Sequence, residues 1–356
     1  MPFTLHIVGS KSLGGAERFA LRLVSALAER GAPLALVARQ GSEVVGQTPA
    51  GVPLHESPMK TVWDPLSKLA LSRLLKRLRP DLAQTYMGRA TRLTRLPSGR
   101  RPVHVARLGG YYKLDGYRHA HAWIGNTKGL CDYMVQGGLP AERVFHIYNF
   151  IDPPPAVTPA TVTAARRELG IPDDALLLMT AGRFVEVKGQ CHLLDAFARL
   201  PREIGGRPLW LVMVGDGLLR PALEAQAATL GIAPRIAWTG WRTDPAPYFE
   251  MADLVVFPSL ENETLGNVIL EAWVHDKPLV TAAFRGAREI VHADEDALMV
   301  PCADAPALAD AIRHALADPP AAQAMAACGR TRVLREFSRD AIVDQYLALY
   351  GRLLGV

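Results

Sequence analysis

Two glutamates, Glu263 and Glu271, bracket the run TLGNVIL, which lies between a strand-like LVVFPS and a strand-like PLVTAA. The apolar pattern of VILEAWVH predicts a helix with Asn267 as its N-cap, which leaves Glu263 in the preceding loop and Glu271 one turn inside. Backbone amides around Gly266 and Asn267, at a helix start, make a ready site for an anion. A carboxylate on either side of such a site accepts hydroxyls. Hydroxyl, phosphate, hydroxyl is the outline of ribose, diphosphate and hexose in a nucleotide-sugar. Taken alone, the stretch reads equally well as two surface charges at a helix start.

A second stretch, GRFVEVKG (182–189), follows the strand-like LLLMTA. Gly182 lets the backbone turn, and Arg183 and Lys188 are cations at the carboxyl end of that strand. Two cations in a partly dry cleft neutralise a leaving diphosphate without requiring a metal, each charge-assisted bond contributing roughly 1.5–3 kcal/mol. As loop cations both are expected to be dispensable for folding. By itself this is a solvated Arg and Lys; beside the glutamate pair on a nearby strand end, the functional reading wins.

The elements that must hold these residues alternate between short apolar runs and amphipathic stretches. TLHIVG, LALVA, LAQTY, VHVARL, AWIGN and VFHIYNF read as strands of a first half; LLLMTAG, LWLVMVG, RIAWTG, LVVFPS and PLVTAA as strands of a second. Between them lie helical patterns such as GAERFALRLVSALAER, PLSKLALSRLLKRLR and GQCHLLDAFARL. Such alternation predicts parallel sheets covered by helices on both faces. The proline-rich DPPPAVTPATVT (152–163) reads as neither strand nor helix but as a hinge. The chain of 356 residues therefore divides into residues 1–155 and 160–337, two doubly wound α/β domains.

GRFVEVKG is similar to the G-R-x4-K-G element of retaining glycosyltransferases of family 4, and Glu263-TLGNVIL-Glu271 to their E-x7-E motif. LVMVGDG (211–217) resembles the family's G-x-G turn, and LGGAERFALRLVSALAERG its first loop and helix. FSRDAIVDQYLALYGRLL resembles its last helix. The likeness spans nearly the whole chain and is most specific in the second half. It implies a GT-B fold, two Rossmann-like domains facing across a cleft, with the final helix (338–356) returning to the first domain. It further implies that Arg183 and Lys188 bind the donor diphosphate, that Glu271 holds the ribose hydroxyls, and that Glu263 contacts the transferred sugar. Gly182 shapes the loop, Thr264, Leu265 and Gly266 offer backbone amides, Gly215 and Gly217 let the backbone approach the nucleotide, and Gly14 and Gly15 close over the diphosphate. No metal and no cofactor beyond the substrate, a UDP-sugar on family frequency, is implied. An isomerase on the same fold, such as a nucleotide-sugar epimerase, and a non-catalytic nucleotide-sugar-binding protein are the rival readings.

The family often carries a histidine near the anomeric carbon, after a strand of the first domain. Here that region reads VHVARLGGYYKLDGYRHAH (103–121), and His104 falls inside the strand. Packing or surface roles are expected of His104, His119 and His121, with Arg107, Tyr111 and Lys113 as other groups in reach. Asp294-Glu295-Asp296 is read as an exposed turn rather than a metal-binding D-x-D, and VGDGLL lacks the third glycine of a dinucleotide fingerprint. Four scattered cysteines suggest neither a zinc site nor disulfides.

The net charge of +5 conceals an uneven distribution: residues 1–150 hold 21 Lys+Arg against 9 Asp+Glu, and the remainder 19 against 26. Cations gather in the helical PLSKLALSRLLKRLRP (65–80), whose leucines read as a core face, and at Arg89, Arg92, Arg95, Arg100 and Arg101. With few interleaved aromatics, this suggests an anionic membrane surface rather than nucleic acid. No apolar run reaches membrane-spanning length and MPFTLHIVGS lacks a signal-peptide pattern, so a cytoplasmic enzyme, peripheral on the membrane and taking a lipid-linked acceptor such as a lipopolysaccharide core, is expected.

Overall fold

The computed structural model describes every residue except Ser98, Arg100 and Pro155; Arg100 of the basic cluster thus lies outside the described residues. The chain forms two compact units, Met1–Phe150 with Arg339–Val356, and Ile151–Ser338.

In the first unit seven strands, β1 Thr4–Val8, β2 Leu34–Arg39, β3 Leu54–Ser57, β4 Leu82–Tyr86, β5 Val103–Leu108, β6 Ala122–Gly125 and β7 Val144–His146, form a parallel sheet of order β3-β2-β1-β4-β5-β6-β7. The strands β1, β2 and β4 are apolar along most of their length and almost wholly buried, as sheets covered on both faces require. The short β3 (LHES) did not stand out in the sequence because an edge strand wet on one side needs no apolar run. Helix Arg339–Leu354 belongs to this unit. Its Asp340 and Asp344 pair with Arg30 at 2.7 and 3.2 Å, Tyr346 accepts from Arg107 Nε at 2.9 Å, and Tyr350 donates to Gln84 at 2.8 Å.

In the second unit β8 Leu176–Ala181, β9 Glu203–Ile204, β10 Arg207–Val214, β11 Ile236–Gly240, β12 Leu254–Phe257, β13 Leu279–Ala282 and β14 Leu298–Val300 give the order β11-β10-β8-β12-β13-β14, all parallel, with β9 antiparallel on the edge of β10. Both sheets reverse their strand order once, between β1 and β4 and between β8 and β12. Ligands of doubly wound sheets bind outside the carboxyl ends of the strands at such a switch point.

The proline-rich segment is not irregular throughout: its last part enters helix Pro159–Glu168. Pro159 is the first helical residue, where its missing N–H costs nothing, and the Thr158 hydroxyl accepts from Thr161 N at 3.2 Å.

In the first unit His104, His119 and His121 form one cluster. The His104 ring lies 5.5 Å from that of His119 and 6.3 Å from that of His121. His119 Nε2 sits 2.8 and 3.0 Å from the carbonyls of Thr91 and Thr94, and His121 Nε2 3.3 Å from that of Leu96, so the cluster fastens the chain after β4. Burial, reinforced by the neighbouring imidazoles, lowers His104 to about 3, and burial lowers His6 to about 3. In the unfolded chain both titrate near 6.5, so between pH 6.5 and 3 the unfolded state binds more protons. Stability is fully present above pH 6.5 and is lost as pH falls, by about 3 kcal/mol for each group at pH 4. Thermal melting across pH 7 to 4 checks this: the midpoint falls, and falls less in His104→Gln than in the wild type.

Candidate functional site

The strands β10, β8 and β12 are neighbours, and each ends in a loop that carries candidate residues. After β8 comes Gly182, and a 3₁₀ turn at Glu186–Lys188 carries the chain to Gly189 and helix Gln190–Ala198. After β10 come Gly215, Asp216 and Gly217. After β12 come Pro258 and Ser259, and then the loop leading to helix Asn267–Val274.

The first two loops interlock through their glycines. Gly215 has φ +134°, and a Cβ there would stand 2.0 Å from the Gly182 carbonyl oxygen. Gly182 N donates to Val214 O and Phe184 N to Asp216 O, both at 2.9 Å. A Cβ at Gly217 would meet the Phe184 carbonyl at 2.5 Å. The glycines thus let one loop seat the other, a packing duty in addition to the approach to nucleotide inferred from the sequence.

Across the switch point, Lys188 Nζ and Glu263 Oε2 form a salt bridge of 2.7 Å, with side chains only 19% and 13% exposed. Lys188 also lies 5.0 Å above the Phe257 ring, and the Ser259 hydroxyl reaches Glu263 Oε2 at 3.5 Å. Glu263 Oε1 has no partner among the described residues, which leaves one carboxylate oxygen for a hydroxyl. Arg183 is exposed, and its guanidinium makes no hydrogen bond or ion pair among the described residues. Only its backbone carbonyl is engaged, accepting from Gln190 Nε2 at 3.1 Å. The two cations therefore differ: Arg183 is an unneutralised charge, while Lys188 is held by a carboxylate. Both are expected from the sequence to be dispensable for folding; the ion pair with Glu263 gives the opposite expectation for Lys188.

Helix Asn267–Val274 begins one residue earlier than the sequence indicated. Its N-cap is Gly266, at φ +72° and ψ +70°, so Asn267 is the first helical residue. A side chain at 266 would have to adopt the left-handed region and would meet Phe284 at 2.6 Å and Phe257 at 2.8 Å, so only glycine fits. The amides of Leu265 and Gly266 have no acceptor among the described residues and precede the positive end of a helix dipole. Thr264 and Leu265 are buried, and a Cβ at Gly286 would overlap the Thr264 carbonyl, so helix Arg285–Ile290 presses directly on this loop. Glu261 ties the same loop down through Arg285 at 3.3 Å and Arg288 at 2.5 Å, and the Arg288 hydrogen bond holds its carboxyl below the usual range. Glu271 is half-buried on the second turn.

The segment Asp294–Asp296 is a turn, as read from the sequence, but the expected exposure is corrected for Asp296. Asp294 and Glu295 are exposed, but Asp296 is 1% exposed. Its carboxylate pairs with Arg332 and accepts from His292 N at 3.0 Å, and its carbonyl accepts from Trp273 Nε1 at 2.9 Å. Burial raises the Asp296 carboxyl, with Arg332 opposing. This is an anchor for the helix that bears Glu271, and an isolated carboxylate pattern gave no sign of it. Ser259, Phe257 and Gly189 lay within motifs read from the sequence but were not singled out; Gly286 carried no signal. Among the described residues no group of three or more His, Cys, Asp or Glu is arranged as a metal site.

Gly14 and Gly15 belong to the first unit. Gly14 is the N-cap of helix Gly15–Glu29, its N–H donating to Glu17 Oε2 at 2.8 Å, while Ser10 donates to Glu17 Oε1 at 2.5 Å. Arg107, at the end of β5, is 2% exposed, pairs with Asn149 and Tyr346, and stacks 4.0 Å over Phe19. It is a strut for the last helix.

Two doubly wound α/β units in one chain are the architecture of the GT-B fold. The UDP-glucose complex of Anabaena Alr3699/HepE superposes with a TM-score of 0.85 over 99% of this chain and 100% of that one, at 21% identity. Residues 175–318 match the profile of the group 1 glycosyl transferases, and residues 13–154 that of Glycosyltransferase Family 4. The lipopolysaccharide core biosynthesis glycosyltransferase LpsE of Rhizobium meliloti (strain 1021) is 35% identical over 340 residues, 94% of this chain and 95% of that protein. LpsD of the same organism is 32% identical over 342 residues, 95% of each. The chain belongs to this family of group 1, family 4 glycosyltransferases.

Proposed function

We propose that the enzyme transfers a sugar, with retention, from a nucleoside diphosphate sugar, UDP-linked, to a lipid-borne glycan of the lipopolysaccharide core type. The observation that carries this is the Lys188–Glu263 pair beside the Leu265 and Gly266 amides and the unpaired Arg183: cation, hydroxyl acceptor and anion site on adjacent strand ends. The donor's C1–O bond to the diphosphate breaks, and a C1–O bond to the acceptor forms on the same face. The acceptor proton passes to the leaving phosphate, so no enzymic nucleophile is needed. Arg183, Lys188 and the helix start stabilise the charge that develops on the leaving group, and Glu271 and Glu263 hold ribose and sugar hydroxyls. Cations in these positions make a divalent metal unnecessary, and no further cofactor takes part. The names of the Rhizobium relatives support the acceptor class, and the UDP-glucose of the Anabaena protein supports the donor.

No helix among the described residues is long and apolar enough to cross a membrane. The surplus of cations in residues 1–150 supports a cytoplasmic enzyme that docks on an anionic leaflet to reach its acceptor. A thermal-shift screen tests the donor assignment, because a ligand bound only by the folded state raises its stability. UDP-sugars raise the midpoint, and do so equally with a chelator present; GDP- and ADP-sugars do not. A shift that depends on added metal, or one given by another base, overturns that part of the proposal.

A further inference from the structure

The leucines of helix Pro65–Leu78 do not all face the core. Leu71 and Leu75 are buried and Leu74 and Leu78 pack beside them, but Leu66 is 72% and Leu69 47% exposed. Trp63, just ahead of the helix, is 75% exposed. Ten large apolar side chains are exposed among the described residues, and these three fall within seven positions, which makes them a patch rather than scattered instances. The backbone that presents them is pinned. Asp64 caps the helix, accepting from Leu66 N at 3.0 Å and from the Ser67 hydroxyl at 2.5 Å, and Pro65 occupies the first turn.

At about 100° per residue, Leu66, Leu69, Arg73, Lys76 and Arg77 share an arc of roughly 100° on the outer face. That stripe is apolar in its first half and cationic in its second. Lys60 borders the patch, in a groove shared with Trp63, Pro65 and Leu66. In the other basic cluster Arg89 donates to Gly9 O and Arg101 pairs with Asp81 at 2.6 Å, while Arg95 is exposed. A tryptophan and two leucines beside a row of cations match an anionic bilayer, where an indole settles at the headgroup level and aliphatic side chains reach the acyl boundary. Nucleic acid would use the cations but leave the leucines in water.

We infer that Trp63, Leu66 and Leu69 insert into the interfacial layer of an anionic membrane while Lys60, Arg73, Lys76 and Arg77 meet its headgroups. This rests on the membrane-docking reading above and adds an apolar anchor that charge attraction alone does not supply.

The test uses the full chain with phosphatidylcholine vesicles, with and without a minority of phosphatidylglycerol, at low and high salt. The wild type co-sediments with the anionic vesicles at low salt. Trp63→Ser combined with Leu66→Ser weakens that binding roughly 10–100-fold, as losing two partly inserted apolar side chains requires, with an unchanged melting temperature. Vesicles brominated in the acyl chains quench the tryptophan emission of the wild type and not that of Trp63→Phe. Salt-sensitive binding that the double variant retains in full, without quenching, overturns the anchor and leaves electrostatic docking standing. No binding of the wild type to anionic vesicles at low salt overturns both. Equal binding to neutral vesicles removes the charged half, and concentration-dependent self-association of the wild type, abolished in the double variant, assigns the patch to a second copy of the chain instead.

Discussion

Alanine at Arg183 lowers turnover about 10²–10³-fold, the usual consequence of deleting one charge-stabilising donor, and leaves the melting temperature where it was. Alanine at Lys188 lowers turnover by a similar factor but also destabilises the fold. The difference follows from their surroundings. Arg183 stands in water with no ion-pair partner among the described residues, so nothing in the resting protein depends on its charge. Lys188 neutralises Glu263 at 2.7 Å where both are mostly shielded from solvent. Removing the lysine strands a carboxylate; discounting the several kcal/mol of a fully buried case for the remaining exposure leaves roughly 1–3 kcal/mol. Lys188→Ala combined with Glu263→Ala regains much of that stability and none of the activity, because the two residues are coupled in the fold and separate in the chemistry. Turnover and thermal melting on the four proteins decide it. Near-normal activity in Arg183→Ala removes that residue from the diphosphate site, and an unshifted midpoint in Lys188→Ala shows that the ion pair does not support the fold.

Much of this was legible in the sequence because strand-to-loop transitions are written locally. LLLMTA followed by GRFVEVKG is a buried strand running into a glycine turn with two cations, and the structure places both cations after β8 as that pattern requires. What was not legible depends on contacts between distant segments. Nothing near Lys188 says that it will meet Glu263 rather than solvent, since that pairing arises only when β8 and β12 become neighbours. The burial of Asp296 within its turn was not legible because its partners, Arg332 and Trp273, are supplied by two helices remote in sequence. The capping residue shifted from Asn267 to Gly266 because the Phe257 and Phe284 rings leave no room for a side chain there. Leu66 and Leu69 were assigned to a core from spacing alone, and a helix whose leucines span more than one face cannot show from its sequence which face the sheet will cover.

Glu263→Gln and Glu271→Gln separate the two carboxylates by what each does to the free nucleotide. In Glu263→Gln an amide oxygen remains as an acceptor, but the negative charge that holds Lys188 is gone. The lysine then offers its whole charge to a diphosphate, so UDP binds as tightly as to the wild type or several-fold more tightly. Sugar transfer falls roughly 10–100-fold, the effect of losing one charged hydrogen bond to a hydroxyl in the transition state. Glu271→Gln does the reverse. Its proposed partner is the ribose, which is present in UDP itself, so affinity for UDP falls roughly tenfold or more, while turnover at saturating donor changes little. Titration calorimetry with UDP and a transfer assay at high donor concentration distinguish the two. Equal loss of UDP affinity in both variants places both glutamates on the nucleotide and removes Glu263 from the sugar. A Glu263→Gln enzyme that binds UDP more weakly shows that the ion pair orients Lys188 rather than restraining its charge, because only then does the phosphate site suffer when the carboxylate is neutralised.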